Sequence, residues 1–263
     1  MKNYTSRELM AIAAARQIKD GEIVFCGTGI SLLAAMAAKY IHAPKAVIFF
    51  ETGAIDPDLQ EIPLTVADSR LMYGSCVNAG LAEAFATMQN RFLGPRLVGI
   101  LGAAQVDRYG NLNSTCLGDY SKPDVRFPGS GGACDVGSFV GRTMIFIKHE
   151  RRRFVEKLDY FTTPGYFDGP GGREREGYMP GGPACVISDK AVMRFDEQTK
   201  EMYLDCYYPG TTPGEIQECT GFSIDIDRAK LLDTPTDREL DILRKQVDPQ
   251  RLILGDNDLE PRA

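Results

Sequence analysis

Short apolar runs alternate with helical patterns along the first fifty residues, and this alternation restricts the possible folds most strongly. A capping box at residues 5–8 opens a helical pattern, and an apolar run follows at 23–25. A second helical pattern at 31–40 precedes a second apolar run at 46–50. Such alternation is typical of parallel strands covered by helices. The sequence therefore predicts an α/β protein with an open, mostly parallel sheet flanked by helices.

The pattern changes after Pro164. Residues 165–182 are rich in glycine and proline, which predicts irregular structure. Three short apolar runs then follow, at 185–187, 191–195 and 202–207, and a polar, turn-like segment at 196–200 separates the last two. We therefore expect an antiparallel hairpin extension in the C-terminal half. No repeat or long linker divides the chain, so we expect a single domain over residues 1–263.

The charge balance argues against nucleic acid and membranes as partners. The formal net charge is −6 and the pI about 5.1, so the surface repels polyanions unless a local basic patch overrides it. The best candidate patch, residues 151–153, is more typical of a solvated face or of salt-bridge partners. No apolar run reaches the ~18 residues that a membrane span needs.

The use of cysteine and histidine points to a reducing compartment. The seven cysteines are scattered without a Cys-x-x-Cys pair, and the histidines number only two, His42 and His149. We therefore expect neither a disulfide framework nor a metal site built from these residues. The N-terminus shows no apolar core of a signal peptide, so we predict a cytoplasmic protein. Structural or surface roles are expected for both histidines, which leaves little support for Ser/His/Asp catalysis.

Gly27-Thr28-Gly29 lies between a predicted strand and a predicted helix, as a dinucleotide-binding turn would. Glu51 follows Gly29 by 22 residues, where such a motif places its ribose-binding acid. The third glycine of the motif is replaced by Leu32, however, so the helix cannot approach the strand as closely. A tight strand-to-helix turn without a nicotinamide cofactor is the simpler interpretation.

Glu51-Thr52-Gly53 directly follows the apolar run 46–50, at the edge of an open α/β sheet where ligands bind. Apolar surroundings raise the basicity of a carboxylate and strip water from it, and both effects favour a nucleophile. Gly53 would let a ligand or another backbone come close. The alternative is a structural acid that caps a helix or pairs with a cation.

A second candidate segment is rich in glycine and comprises Gly129, Ser130, Gly131, Gly132 and Ala133. Successive backbone amides in such a segment can converge on an anion or on a developing oxyanion. A flexible loop is the alternative.

Two neutral amides, Gln105 and Asn113, flank a glycine-containing turn at residues 109–111. Neutral amides can orient a carboxylate or thioester without neutralising it. The alternative is a turn of purely structural importance.

Six stretches of the sequence, some of which include segments described above, resemble the class I CoA-transferases, and among them the β subunits of the glutaconate type. They are residues 102–107, 109–111, 127–133, 150–154, 167–175 and 207–209, and the resemblance extends from residue 18 to residue 249. It implies the CoA-transferase/NagB-like fold. It also implies a hetero-oligomer with an α subunit that supplies part of the acid-binding pocket, and substrates that are an acyl-CoA and a carboxylic acid, with no permanently bound cofactor.

The resemblance assigns roles to the candidate residues. Glu51 fits the Glu-x-Gly motif of the family's nucleophile, with Thr52 where the family usually has serine. Gly131 and Gly132 fit its GxGG motif, which places backbone amides near the reacting carbonyl. By this resemblance the oxyanion or CoA-binding group comprises Gly53, Gly129, Gly131, Gly132 and Ala133, and Gln105 and Asn113 orient the substrate.

Other functions remain open at this point. Ring hydrolases and decarboxylases that act on acyl-CoA share the scaffold, and residues 208–210, 212–214 and 235–237 resemble the hydrolases. The retained Glu51 favours transfer. A non-catalytic metabolite sensor would need a DNA-binding module, and the sequence contains no basic helix-turn-helix. The acid pair is not specified by the sequence.

Overall fold

The structure is a computed structural model that describes residues 3–255. Contacts group them into two compact units, the first from the described parts of Met1–Ala86 and Asp233–Ala263, and the second from Thr87–Leu232. This grouping does not test the prediction of a single domain over residues 1–263, which stays a prediction.

The helices and strands are numbered in chain order. The α-helices are α1 (Ser6–Ala15), α2 (Ile30–Ile41), α3 (Leu81–Gln89), α4 (Ala133–Phe139), α5 (Gly172–Arg175), α6 (Pro213–Glu218) and α7 (Asp237–Ile242). The strands are β1 (Ile23–Phe25), β2 (Val47–Phe49), β3 (Ala54–Ile55), β4 (Val77–Asn78), β5 (Leu97–Gly102), β6 (Gln105–Val106), β7 (Leu112–Asn113), β8 (Cys116–Leu117), β9 (Val125–Arg126), β10 (Arg142–Phe146), β11 (Pro183–Ile187), β12 (Ala191–Phe195), β13 (Met202–Tyr207) and β14 (Lys230–Leu231).

The first unit contains the strand order β1-β2-β3-β4. Strands β1 and β2 are parallel because α2 connects them, whereas β3 and β4 add antiparallel pairs. Helices α1 and α2 pack together through fully buried alanines, which allow close approach. The predicted capping box is confirmed, since Thr5 Oγ1 accepts from the Glu8 amide and the Glu8 carboxylate accepts from the Thr5 amide.

The first unit is formed by two segments, one that precedes the second unit in the sequence and one that follows it. Helix α7 continues as a π-helical turn, Leu243–Val247, and both pack against α2. Two ion pairs join the segments: Arg244 binds the fully buried Glu8 at 2.7 Å, and Arg16 binds Glu239 at 2.7 Å. Burial alone would raise the pKa of Glu8, but the Arg244 and Thr5 hydrogen bonds and the nearby guanidinium charges lower it below its ordinary value.

The second unit contains the strand order β14-β13-β12-β11-β10-β5. Strands β5, β10 and β11 are parallel, and β11-β12-β13 form the predicted antiparallel extension. The predicted fold class, a mostly parallel sheet flanked by helices, is therefore confirmed. Residues 165–182 are largely irregular as predicted, but they include the single-turn helix α5, because Arg173 is buried and donates to four carbonyl oxygens around it.

Two small hairpins, β6–β7 and β8–β9, complete the second unit. Two residues of the basic run at 151–153 are ion-pair partners, with Glu150 binding Arg152 at 2.7 Å and Arg153 at 3.3 Å, whereas exposed Arg151 donates to Glu218 O at 3.5 Å. Within residues 3–255, none of the helices has both the length and the apolar character required to cross a bilayer.

Candidate active site

Glu51 lies on the tight turn that connects β2 with β3. The Phe50 amide donates to Ala54 O at 3.0 Å, and the Gly53 amide donates to Phe50 O at 3.0 Å, so Glu51 and Thr52 form the tip. Glu51 is partly exposed, and its carboxylate has no hydrogen-bond or ion-pair partner among the described residues. The alternative role, an acid that caps a helix or pairs with a cation, requires such a partner. The geometry therefore leaves this carboxylate available for chemistry.

Gly53 shapes this turn. Its φ is +93°, and a Cβ atom would lie 2.1 Å from Ala79 O, a residue whose amide donates to Gly53 O at 3.0 Å. The close approach predicted for Gly53 is therefore to the backbone that follows β4. Its amide is already donated within the turn, and a direct contact of Gly53 with CoA stays a prediction.

Thr52, next to Glu51, carries an unexplained polar group. Its Oγ1 is buried and has no hydrogen-bond partner within residues 3–255. An unpaired buried hydroxyl costs free energy, so Thr52 is a candidate functional residue. From the sequence alone, Thr52 looked only like a conservative replacement of serine.

The glycine-rich segment, Gly129 to Ala133, immediately precedes α4 in the second unit. The amides of Gly131 and Gly132 have no acceptor among residues 3–255, whereas the Ala133 amide donates to Ser130 O at 2.9 Å. Two free, consecutive amides fit the predicted oxyanion donors. The Gly129 amide is also already donated, to Ser114 O, and a direct contact of Gly129 or Ala133 with CoA stays a prediction.

Packing of α4 on β5 sets the position of this segment. A Cβ atom on Gly99 of β5 would lie 2.2 Å from Val136 Cγ1 of α4, so only glycine permits this approach. At the other end, Gly129 and Ser114 exchange two hydrogen bonds, from the Gly129 amide at 3.1 Å and from Ser114 Oγ at 3.0 Å. Sequence reasoning missed Ser114, since its partner is distant in sequence and no pattern marks it.

Gln105 and Asn113 lie opposite each other in the β6–β7 hairpin and are both buried. Asn113 Nδ2 donates to Gln105 Oε1 at 2.7 Å, and Gln105 Nε2 donates to Asp159 Oδ2 at 3.2 Å. Asn113 Oδ1 accepts from the Thr115 amide at 2.9 Å. These bonds give the two amides a structural role. Whether either also contacts the substrate stays a prediction.

The structure thus brings together Gln105, Asn113 and the glycine-rich segment, through the residues that follow Asn113. Glu51 and Gly53 belong to the first unit, and the other predicted site residues belong to the second.

Two buried titratable groups, His149 and Asp107, are held by contacts within the protein. Burial lowers the pKa of His149 to about 4; its ring stacks on Phe154 and bonds to Ser188 and Thr220. Burial also raises the pKa of Asp107 to about 6, although hydrogen bonds from Asn111 and from the Tyr109 amide act in the opposite direction. The predicted structural role of His149 agrees with these contacts.

Comparison with known proteins identifies the class of enzyme. The family described as coenzyme A transferase matches residues 7–218, so the chain belongs to this family. It is 43% identical to the β subunit of glutaconate CoA-transferase from Acidaminococcus fermentans, over 96% of each chain. The solved structure of that enzyme matches with a TM-score of 0.93 at 41% identity, covering 96% of this chain and 98% of that chain.

Two further relatives show the range of the family. The chain is 35% identical to the β subunit of 3-oxoadipate CoA-transferase from Pseudomonas knackmussii, over 93% of this chain and 94% of the relative. It is 28% identical to the cholesterol ring-cleaving hydrolase IpdB subunit of Mycobacterium tuberculosis, over 94% of this chain and 96% of the relative. The predicted resemblance is confirmed, and the two relatives above 30% support a CoA-transferase enzyme.

Proposed function

We propose that this chain is the nucleophile-bearing subunit of a two-subunit enzyme that moves CoA from an acyl-CoA to a carboxylic acid such as glutaconate. The observation that carries the proposal is Glu51, whose partly exposed carboxylate on the turn after β2 has no partner within residues 3–255. The similarity to the β subunits of glutaconate and 3-oxoadipate CoA-transferases supports the same conclusion.

The reaction begins when a Glu51 carboxylate oxygen attacks the thioester carbonyl carbon. The C–S bond breaks, giving a mixed anhydride and CoA thiolate. The thiolate then attacks the Glu51 carbonyl carbon, and the C–O bond to the acyl group breaks, which releases the first acid as its carboxylate. The enzyme now carries a glutamyl-CoA thioester, and a second acid reverses the two steps and leaves with CoA. Each step exchanges one activated acyl bond for another, so ATP is not required.

The amides of Gly131 and Gly132 serve as oxyanion donors in this proposal. Each tetrahedral intermediate places negative charge on the former carbonyl oxygen, and preorganised N–H groups stabilise it at no reorganisation cost. Loss of one such donor typically costs about 3 kcal/mol of transition-state stabilisation.

A partner α subunit completes the acid-binding pocket in this proposal, because the names of both transferase relatives describe one subunit of a larger enzyme. The chain alone is then inactive, and activity requires co-expression with the partner. We also infer a cytoplasmic location; the free state of all seven cysteines is compatible with a reducing compartment.

The test is mass spectrometry of the co-expressed complex after incubation with glutaconyl-CoA and reduction with borohydride. Borohydride converts a glutamyl thioester to an alcohol, so the nucleophile loses about 14 Da. We expect this loss at Glu51 in the wild-type chain and not in Glu51→Gln, whose carboxamide cannot attack.

The competing candidate is an acyl-CoA ring hydrolase or decarboxylase, which the similarity to the IpdB subunit keeps open. Consumption of acyl-CoA while Glu51 stays unmodified would favour this candidate and refute the role of Glu51.

A further inference from the structure

An exposed stack of one guanidinium and two tyrosine rings lies at the β8–β9 hairpin. Tyr120 is 57% exposed and stacks on Tyr160, with ring centroids 5.1 Å apart and an interplanar angle of 26°. The central guanidinium carbon of Arg126 lies 4.6 Å from the centroid of the Tyr120 ring. Arg126 Nη2 donates to Tyr120 O at 3.0 Å, which holds the guanidinium over the ring. We call these three side chains the Arg–Tyr–Tyr stack.

The buried amide network holds the two tyrosines together. Asp159 Oδ2 accepts from Gln105 Nε2 at 3.2 Å and from the Gly118 amide at 3.1 Å. The Asp159 amide in turn donates to Gln105 Oε1 at 3.1 Å. The residue before Tyr160 is therefore fixed to the end of β8, two residues before Tyr120. The stack is preorganised by protein contacts rather than assembled by a ligand.

The stack is also close to the glycine-rich segment. Arg126 is the last residue of β9, and Gly129 follows three residues later, tied to Ser114 by their two mutual hydrogen bonds. At about 3.3 Å per extended residue, the Arg126 and Gly129 backbones are within about 10 Å of each other. A ligand with its reacting carbonyl at Gly131 and Gly132 could reach the stack with a distant part of its structure.

The exposed outer face of the Arg126 guanidinium suits a flat, neutral π system. Guanidinium planes and aromatic rings stack on nucleobases without needing hydrogen-bond readout. The same loop carries Asp119 and Asp124 beside Lys122, all exposed, so positive charge is not concentrated there as it would be for phosphates. These features favour a base over a phosphate as the bound group.

We propose that the Arg–Tyr–Tyr stack binds the adenine ring of CoA, which packs on the outer face of the Arg126 guanidinium. The inference rests on the proposed function, since it takes CoA as the substrate. In this proposal Gln105 and Asn113 are positioning residues. Their hydrogen bonds hold Asp159, next to Tyr160, and Asn113 immediately precedes Ser114, which binds the glycine-rich segment. CoA suits this arrangement because its thioester and its adenine lie at opposite ends of a long, flexible arm.

The experiment compares an acyl-CoA with the matching acyl-pantetheine, which lacks the nucleotide, in the complex with the α subunit. Arg126→Ala should raise the KM for acyl-CoA on the order of 10-fold. The KM for acyl-pantetheine and the kcat for either substrate should stay within about twofold. Arg126→Lys should behave like Arg126→Ala, because an ammonium group keeps the charge but has no plane to stack on.

The chain offers a matched control in Arg228, whose guanidinium carbon lies 4.7 Å from the Tyr203 ring centroid on a different hairpin. Arg228→Ala should leave both KM values unchanged. Retention of the wild-type KM in Arg126→Ala overturns the inference, as does rescue by Arg126→Lys, which would indicate a phosphate contact. An equal rise in KM for acyl-pantetheine would show a general distortion and also overturns it. A wild-type complex that transfers no CoA refutes the proposed function instead, before any variant is compared.

Discussion

At the residue scale, the hydroxyl of Thr52 beside Glu51 is buried without a partner in the described part of the chain. A group of this kind costs about 1–3 kcal/mol, and replacing it with an apolar group of the same shape can be stabilising. We therefore expect Thr52→Val to raise the free energy of unfolding by about 1 kcal/mol, measured by urea denaturation of the purified chain.

Thr52→Ser is the matched control, since it keeps the hydroxyl and removes the methyl group. It should lower the free energy of unfolding by about 1 kcal/mol through lost burial. If Thr52→Val proves clearly less stable than the wild type, the hydroxyl has a partner in the folded chain, and the interpretation of an unpaired group is wrong.

At the scale of elements, the turn between β2 and β3 depends on the absence of a side chain at Gly53. Gly53→Ala would combine a left-handed φ of +93° with a Cβ atom 2.1 Å from Ala79 O. We expect a loss of about 3 kcal/mol or more in the free energy of unfolding, seen in chemical denaturation.

Gly129→Ala is the matched control, because it introduces backbone strain without a steric clash. Gly129 has a φ of +97°, but no atom lies within 4 Å of its missing Cβ. The expected loss is about 1–2 kcal/mol. Equal losses in the two variants would show that Ala79 moves aside easily, contrary to the close approach described here.

The packing of α4 on β5 predicts an effect on catalysis. Gly99→Ala places a methyl group 2.2 Å from Val136 Cγ1, so α4 and the amides of Gly131 and Gly132 must shift. Displacement of these proposed oxyanion donors should lower the kcat of the complex on the order of 10-fold to 100-fold.

The double variant Gly99→Ala/Val136→Ala tests this mechanism. It removes Cγ1 and leaves Val140 Cγ2 at 3.3 Å and Val136 Cβ at 3.6 Å from the new methyl group, so only a shift of a few tenths of an ångström remains. We expect it to recover most of the lost kcat. A double variant as slow as Gly99→Ala alone would mean that the position of α4 does not control the donors.

At the scale of the whole molecule, buried titratable groups make stability depend on pH. Burial lowers the pKa of His149 from 6.5 to about 4, so between these values the unfolded chain holds the proton and the folded chain does not. Stability from this group is complete above pH 6.5 and falls as the pH drops towards 4, by up to about 3 kcal/mol.

The comparison of wild type with His149→Gln isolates this contribution. Asp107 acts in the opposite direction: its pKa is raised from 3.8 to about 6, so its unfavourable contribution develops as the pH rises between these values and is complete above about 6. The difference between the two proteins in urea denaturation should therefore be measured at several pH values from 4 to 7.5. A difference that does not change with pH would show that His149 titrates normally.

The sequence predicted the fold class, and it placed Glu51 directly after a buried strand. Continuous apolar runs predicted β1 and β2, because burial on both faces leaves no polar alternation, and a turn-like segment between short apolar runs predicted the C-terminal hairpin. The two-residue strands β3, β4, β6 to β9 and β14 were not predicted, since such short ladders have no period to detect. Glu51 was predictable because it directly follows an apolar run.

The rest of the candidate site depends on contacts between residues distant in sequence. Gln105 and Asn113 were predicted to orient substrate, but their visible partners include Asp159, which is 54 residues from Gln105. The bonds between Ser114 and Gly129 likewise join segments 15 residues apart. Tertiary hydrogen bonds of this kind leave no local sequence pattern. The sequence can therefore indicate a candidate polar residue, but it does not predict that residue's hydrogen-bond partner.

The ion pairs Glu8–Arg244 and Arg16–Glu239 join segments made at different times during protein synthesis. Residues 87–232 leave the ribosome before α7 exists, so the unit they form can fold while the first unit still lacks a helix that packs on α2. Until α7 has been synthesised, the apolar surface of α2 that packs against it stays exposed. The unit that carries Glu51 is therefore completed only after the other unit has been made.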